Sequence, residues 1–181
     1  MEKGNSYDKT GFTIIEVVLV LAIAGLIFLM VFIAFPALSR TQRDSRRRDD
    51  ISILLKKVKD YQTNNRGALP SGLANNIDYN TPVGTNKFSW AAFYHNYLGD
   101  GFKDPNGSYY RIDVVQCSGA SNPGTRCSNE LSGENPTFPY DMKIVIQATC
   151  DGGEKAVATN NPRKIAVQYK LEGGGIYCAN T

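Results

Sequence analysis

The chain of 181 residues has one histidine, one tryptophan and no cysteine before Cys117. Between Lys9 and Arg40 it has no lysine or arginine, and between Phe12 and Phe35 the sole charge is Glu16. Each scarcity excludes something. With His95 alone, and without Gly-x-Ser-x-Gly, His-Glu-x-x-His or a phosphate loop, no familiar catalytic set can be assembled, and no enzyme is expected. Without Cys-x-x-Cys spacing, and with His95 remote from the cysteines, neither a zinc site nor any cofactor is expected. A net charge of +3 is too mild to argue for a nucleic-acid partner by itself.

The missing charge is itself a feature. A helix needs about 20 apolar residues to cross a bilayer, and the run from Phe12 to Phe35 is long enough. A cleavable secretory signal has an apolar region of only about 7–15 residues and ends in a small-residue cleavage site; here the run is longer, and no Ala-x-Ala follows it before Arg40. The run is therefore read as a membrane-spanning helix. Pro36 interrupts the pattern, because a proline inside a helix removes one backbone hydrogen bond and tends to kink it.

Helical spacing resumes with Ile51, Leu54, Leu55, Val58 and Tyr61 on one face and Lys56, Lys57, Lys59 and Asp60 on the other. Gly67 and Pro70 supply a stop. Residues 12–65 then form one helix about 80 Å long at ~1.5 Å per residue. So small a chain cannot cover that length. Its first half must lie in lipid or against other subunits, and only its second half can pack on its own domain. The organisation that follows is a polar leader over 1–11, a membrane or filament-core helix over 12–35, an amphipathic half over 36–66 and a β-rich head domain over 67–181.

Within the head, residues 68–88 and 118–139 read as Gly/Asn/Pro-rich loops, and Trp90 to Leu98 as a short aromatic helix. Asp104-Pro105-Asn106-Gly107 reads as a turn. Strand patterns cover Tyr109–Val115, Met142–Thr149, Lys155–Ala158, Ile165–Leu171 and Ile176–Cys178, with turns at 151–154 and 173–175. Consecutive strands with short turns predict an antiparallel sheet covering the amphipathic helix, an α+β fold. The aromatic residues Trp90, Phe93, Tyr94, Tyr97 and Phe102 are assigned to the core or to subunit contacts. Four cysteines beyond a membrane helix point to two disulfides in an oxidising space. Of three connectivities, Cys117–Cys127 with Cys150–Cys178 is favoured, since each bond would staple a Gly/Asn-rich stretch.

Five arginines (Arg40, Arg43, Arg46, Arg47, Arg48) follow the apolar run, interleaved with Asp44, Asp49 and Asp50. Counted alone they would place the C-terminal side in the cytoplasm, whereas the cysteines place it outside. On a helix Asp44 faces Arg48 and Arg46 faces Asp50, which predicts a salt-bridged surface or a subunit contact. DNA or anionic lipid is the other partner that the cluster suggests.

A carboxylate within an apolar helix is costly unless it is paired, and marks function by default. No cation lies within reach of Glu16 in the sequence. Cutting after Gly11 would create one, the new amine of Phe12, which a neighbouring subunit could offer to Glu16.

The segment Gly11-Phe12-Thr13-Ile14-Ile15-Glu16 and the apolar run behind it resemble the N-terminal motif of type IV pilins and the related type II secretion pseudopilins, with Ile14 where leucine is commoner. The resemblance covers roughly residues 1–65. It implies a pilin fold, and cleavage after Gly11 and N-methylation of Phe12 by a membrane prepilin peptidase. It implies assembly through Thr13 and Glu16 with identical subunits, driven by an inner-membrane platform and its ATPase. It implies a single-pass membrane protein that passes from lipid into an extracellular filament serving adhesion, twitching motility or DNA uptake. It also implies that the stretch between Gly25 and Pro36 loses helix on assembly, which the weakness of glycine and proline in helices favours. A pseudopilin or minor pilin of a secretion or competence system is the alternative within the same class.

Overall fold

The computed structural model describes residues 11–118, 122–129, 131 and 141–181. The leader expected over 1–11, apart from Gly11, and part of the loop expected over 118–139 lie outside the described residues. The chain divides into two compact units, Met1–Ser39 and Arg40–Thr181.

One helix, α1 (Ile14–Asn64), contributes to both units. Its first part is built from Ile, Val, Leu, Phe and Ala, and every side chain from Phe12 to Leu38 except that of Ala24 is exposed. An apolar backbone segment in lipid must satisfy its own hydrogen bonds, and a helix does so within the segment. α1 runs on through Pro36. Proline has no N–H to donate to the carbonyl four residues earlier, and one turn on, the Ser39 hydroxyl donates to the Phe35 carbonyl at 3.1 Å.

In the C-terminal unit the buried residues of α1 are Asp44, Arg47, Ile51, Leu54, Val58 and Tyr61. Their spacing of three and four in alternation makes one stripe along a 3.6-residue helix. The helix stops where expected. Gly67 has φ 82°, a conformation that favours glycine, and its N–H donates to the Gln62 carbonyl at 2.6 Å.

The fold is α+β, with the stripe packed on a five-stranded mixed sheet. In chain order the strands are β1 (Ala74–Ile77), β2 (Arg111–Gln116), β3 (Asp141–Ile146), β4 (Ala148–Asp151), β5 (Lys155–Ala158), β6 (Ile165–Lys170) and β7 (Ile176–Asn180). Their order in the main sheet is β1-β2-β3-β6-β7, and β4-β5 forms a separate hairpin. The turn at 151–154 closes β4-β5 and the turn at 173–175 closes β6-β7, as predicted.

Three features differ from expectation. β2 and β3 pair in parallel, Ile112 with Met142 and Val114 with Ile144. The long connection between them, 117–140, is what a parallel pair requires and a hairpin does not. The strand expected over Met142–Thr149 is broken at Gln147, whose φ of 60° ends β3 and starts β4. Residues 74–77, read as loop, form β1, with the Asn76 N–H held by Asp113 Oδ1 at 2.7 Å.

Side chains alternate across the sheet. Ile112, Val114, Met142, Ile144, Ile165, Val167 and Tyr169 join the α1 stripe in the main core. Val145, Ala166 and Cys178 face the other way, into a smaller cluster with Ala148 and Ala156 of the β4-β5 hairpin. β6 is therefore buried on both faces, which is why Ile-Ala-Val-Gln-Tyr shows no alternation.

The cysteines pair as predicted, Cys117–Cys127 and Cys150–Cys178. The second bond ties the hairpin to β7. The aromatic segment forms α2 (Trp90–Phe93), capped by the Ser89 hydroxyl accepting from Ala92 N–H at 3.2 Å, and continues as a π-helical turn over Tyr94–Leu98. Trp90, Phe93, Tyr94 and Phe102 belong to the core, and the half-buried Tyr97 packs edge-on against Tyr61 at 5.3 Å.

Candidate functional site

Two groups of residues carry chemistry, one at the start of α1 and one in the C-terminal unit.

Gly11, Phe12 and Thr13 precede the helix without regular structure, and Phe12 is 89% exposed. The Gly11–Phe12 peptide bond is thus outside any helical hydrogen-bond ladder. Glu16 sits in the first turn of α1. Its Oε2 accepts from Thr13 N–H at 3.0 Å and from the Thr13 hydroxyl at 2.9 Å, while Glu16 N–H donates back to Thr13 Oγ1 at 3.4 Å. This is a capping box: two side chains three residues apart satisfy N–H groups that the helix start leaves open. The Thr-x-x-Glu spacing that predicts it is legible in the sequence, yet sequence reasoning assigned both residues to assembly alone. Among the described residues Glu16 Oε1 has no partner.

A Cβ added at Gly11 or Gly25 would meet nothing within 4 Å. The chain's own packing therefore does not demand glycine at either position. Gly25 and Pro36 both lie within α1, so the expected melting hinge is helical in the single chain. The structure brings Thr13 and Glu16 together and joins the four cysteines in pairs. Gly25 and Pro36 stand apart from both.

In the C-terminal unit the organising side chain is Arg47, 1% exposed. Its Nε and Nη2 donate to Asp104 Oδ2 at 2.6 Å and Oδ1 at 3.1 Å, a two-pronged contact that matches the guanidinium fork. Nη1 donates to Asp44 Oδ1 at 3.0 Å, and Nη2 meets Glu172 Oε1 at 2.6 Å. The Tyr169 ring lies 5.6 Å from the guanidinium carbon, and the Tyr169 hydroxyl donates to Asp104 at 3.3 Å.

Asp44 also accepts from the N–H groups of Glu172 and Gly173, at 3.0 and 2.9 Å, and so holds the β6-β7 turn. Arg43 clamps Glu172 from outside at 2.6 Å. Asp104 accepts from Asn106 N–H at 2.9 Å, which shapes the Asp-Pro-Asn-Gly turn predicted from sequence.

The electrostatics follow from these contacts. Burial works against the charge on Arg47, but the hydrogen bonds to Asp104 and Glu172 outweigh it and hold the guanidinium ionised. Hydrogen bonds from Arg43, and then from Arg47, draw the Glu172 carboxyl down to about 2. Burial pushes Asp50 up, against a hydrogen bond of 2.7 Å from the Tyr110 hydroxyl.

This arrangement corrects the expected surface pairing. Asp44 serves Arg47 and the β6-β7 turn, and Arg48 lies over the Tyr177 ring at 5.3 Å. Asp50 feels Arg46, but it is hydrogen-bonded to Tyr110. Sequence reasoning missed Arg47 as an interior residue. The signal was available, because 44 and 47 continue the phase of 51, 54, 58 and 61. Among the described residues no group of three or more His, Cys, Asp and Glu side chains is placed to hold a metal ion.

No known protein family, no curated protein and no solved structure matches the chain.

Replacing Arg47 with Leu leaves Asp104 charged and buried, and should cost the segment 40–181 about 3–5 kcal/mol in urea unfolding. Arg43→Ala, at a partly exposed pair screened by solvent, should cost clearly less. Equal costs would show that the buried fork has no special weight.

Glu172 also makes a pH prediction. Its folded pKa lies below its ordinary 4.5, so its contribution is complete above pH 4.5 and is lost as pH falls towards about 2. The stability gap between the native chain and Glu172→Gln should shrink over that window. Asp50 has the opposite sign but is present in both chains and cancels. A gap that stays constant from pH 6 to pH 2 would contradict the assignment.

Proposed function

We propose that this chain is a structural subunit of a type IV pilus-like surface filament, cut between Gly11 and Phe12 and assembled through the first part of α1. The observation that carries the reading is the uncovered apolar surface. Phe12, Ile14, Leu19, Leu21, Phe28 and Phe32 are each more than half exposed, and α1 is the one helix among the described residues long and apolar enough to cross a membrane. A folded domain would hide such a surface in its own core. A chain that moves from lipid into a helical assembly would keep it available for both.

The start of α1 supports the same reading. The cleavage point lies outside the helix, so a peptidase can reach a backbone free of helical hydrogen bonds. The cut would convert Phe12 from a mid-chain residue into an amine. Thr13 uses only one oxygen of Glu16, which leaves Oε1 for the amine of a neighbouring copy. At bilayer depth an ion pair of this kind is strong enough to set a register, because no water competes for it. The open space around Gly25 suits close approach by another helix, since small residues let backbones meet in apolar surroundings.

On this reading the partners are membrane lipid, a prepilin peptidase, an inner-membrane assembly platform with its ATPase, and further copies of the same chain. The stretch from Gly25 to Pro36 is where the helix would yield on assembly. The two disulfides suit a C-terminal unit that ends outside the cell.

Mass spectrometry of the mature protein tests the proposal. It should show a first residue Phe12 carrying one added methyl group. An uncut chain, or a cut beyond residue 35, would sink the assignment.

A further inference from the structure

The end of α1 carries a feature that the filament reading does not use. A hollow of about 220 Å3 is lined by Lys59, Gln62, Gly67, Asn161, Arg163 and Lys164, with Thr181 beside it, and no carboxylate side chain lines it. Three cations thus line one concave site, one of which, Lys164, already meets a main-chain oxygen of Thr181 there.

These cations are held by a fixed frame. A Cβ built on Gly67 would stand 3.0 Å from Arg163 Nη1, 3.1 Å from Cζ and 3.4 Å from Nε. Three guanidinium atoms at nearly one distance place the group face-on against the Gly67 backbone, with its N–H edges in the plane. The loop that carries Arg163 is tied to α1 by Gln62 Nε2, which donates to the Arg163 carbonyl at 2.9 Å. It is closed by Arg163 N–H donating to Asn161 Oδ1 at 2.9 Å and by Gln147 N–H donating to the Lys164 carbonyl at 2.8 Å.

Lys164 Nζ donates to a main-chain oxygen of Thr181, the last residue of the sequence and a carboxylate in a chain ending there, so Lys164 is taken up and two charges, Lys59 and Arg163, have little else to do. Among the described residues the Lys59 amine and the Arg163 guanidinium have neither a hydrogen-bond nor a carboxylate partner. Nor do they cap α1: the Tyr61 carbonyl accepts from Asn65 N–H at 2.9 Å, and the Gln62 carbonyl from Gly67 N–H at 2.6 Å. Cations gathered around a concavity raise the positive potential there, and Lys59, Asn161 and Arg163 are all exposed, so salt screens part of it. A rigid guanidinium fork beside a lysine point charge suits an oxyanion with several acceptor atoms.

We infer that this hollow is an anion site that takes one phosphate-type oxyanion, with Arg163 as the fork, Lys59 as the second charge and Asn161 Nδ2 as a neutral donor. The volume holds a phosphate group, and the open mouth lets a larger molecule present one. The oxyanion can arrive as free phosphate or as a phosphodiester of a nucleic acid strand, and the chemistry at the hollow is the same. The site is independent of the filament assignment, because it uses no residue before Lys59.

The test uses the full-length, 15N-labelled chain in detergent micelles, titrated separately with inorganic phosphate and with a short single-stranded oligonucleotide. The amide signals of Gly67, Arg163 and Lys164 should move saturably with at least one probe, and the responding probe identifies the source. Arg163→Gln and Lys59→Gln should each weaken binding by roughly tenfold or more, the loss of one charge-assisted contact. Arg46→Gln, on another face of α1, should leave it unchanged. The inference is overturned by no saturable response to either probe, by equal responses to chloride at matched ionic strength, or by undiminished affinity in Arg163→Gln.

Discussion

The apolar surface from Phe12 to Leu38 is the constraint to which the rest of the chain answers. Burying apolar area is worth about 25 cal/mol per Å2, and a run of this length leaves many such contributions unclaimed in the single chain. The surface must be covered by something else: on the proposed reading, first by lipid and then by other copies. Glu16 matters because it is the one group in that surface that lipid cannot satisfy. Thr13 meets half of its need through the capping box. The other half is the specific element in an otherwise unspecific greasy rod.

The C-terminal unit solves a different problem with the same helix. There the stripe of α1 changes from apolar to ionic without losing phase. Ile51, Leu54, Val58 and Tyr61 meet the sheet, and Arg47 and Asp44 continue the line. A charge buried at that point could be repaid by hydrophobic residues of similar volume, so the ionic choice calls for a reason. The contacts supply one: Arg47 and Asp44 engage the turn at 104–107 and the turn at 172–173, whose backbone N–H groups and carboxylates need polar partners. The network fixes turns where a leucine could only fill space.

How far all this was legible depends on the range of each signal. Helix phase, the Gly67 stop, the two tight turns and the cysteine pairing are local or nearly so, and each was readable. The parallel pairing of β2 with β3 was not, because it depends on which strand a long connection returns to, and no local pattern records that. β1 hid in an Asn-rich stretch whose pairing depends on Asp113, 37 residues after Asn76. Arg47 was mistaken for surface because charge was weighed before phase. The same phase that placed Leu54 in the core also placed Arg47 there, and the carboxylate needed to pair it came from Asp104, 57 residues away. At the other end, Thr13 and Glu16 were read for assembly, and their simpler duty as a helix cap was overlooked. The two duties are compatible, since they use different oxygens of one carboxylate.

The central claim is that Glu16 awaits a partner which only cleavage and a second copy can supply. Its most direct measurement is the yield of sheared surface filaments from Glu16→Ala, with processing at Gly11–Phe12 followed in the same cells. The account predicts a chain that is cut normally yet scarcely recovered in filaments. Filaments at the native yield from that variant would contradict it.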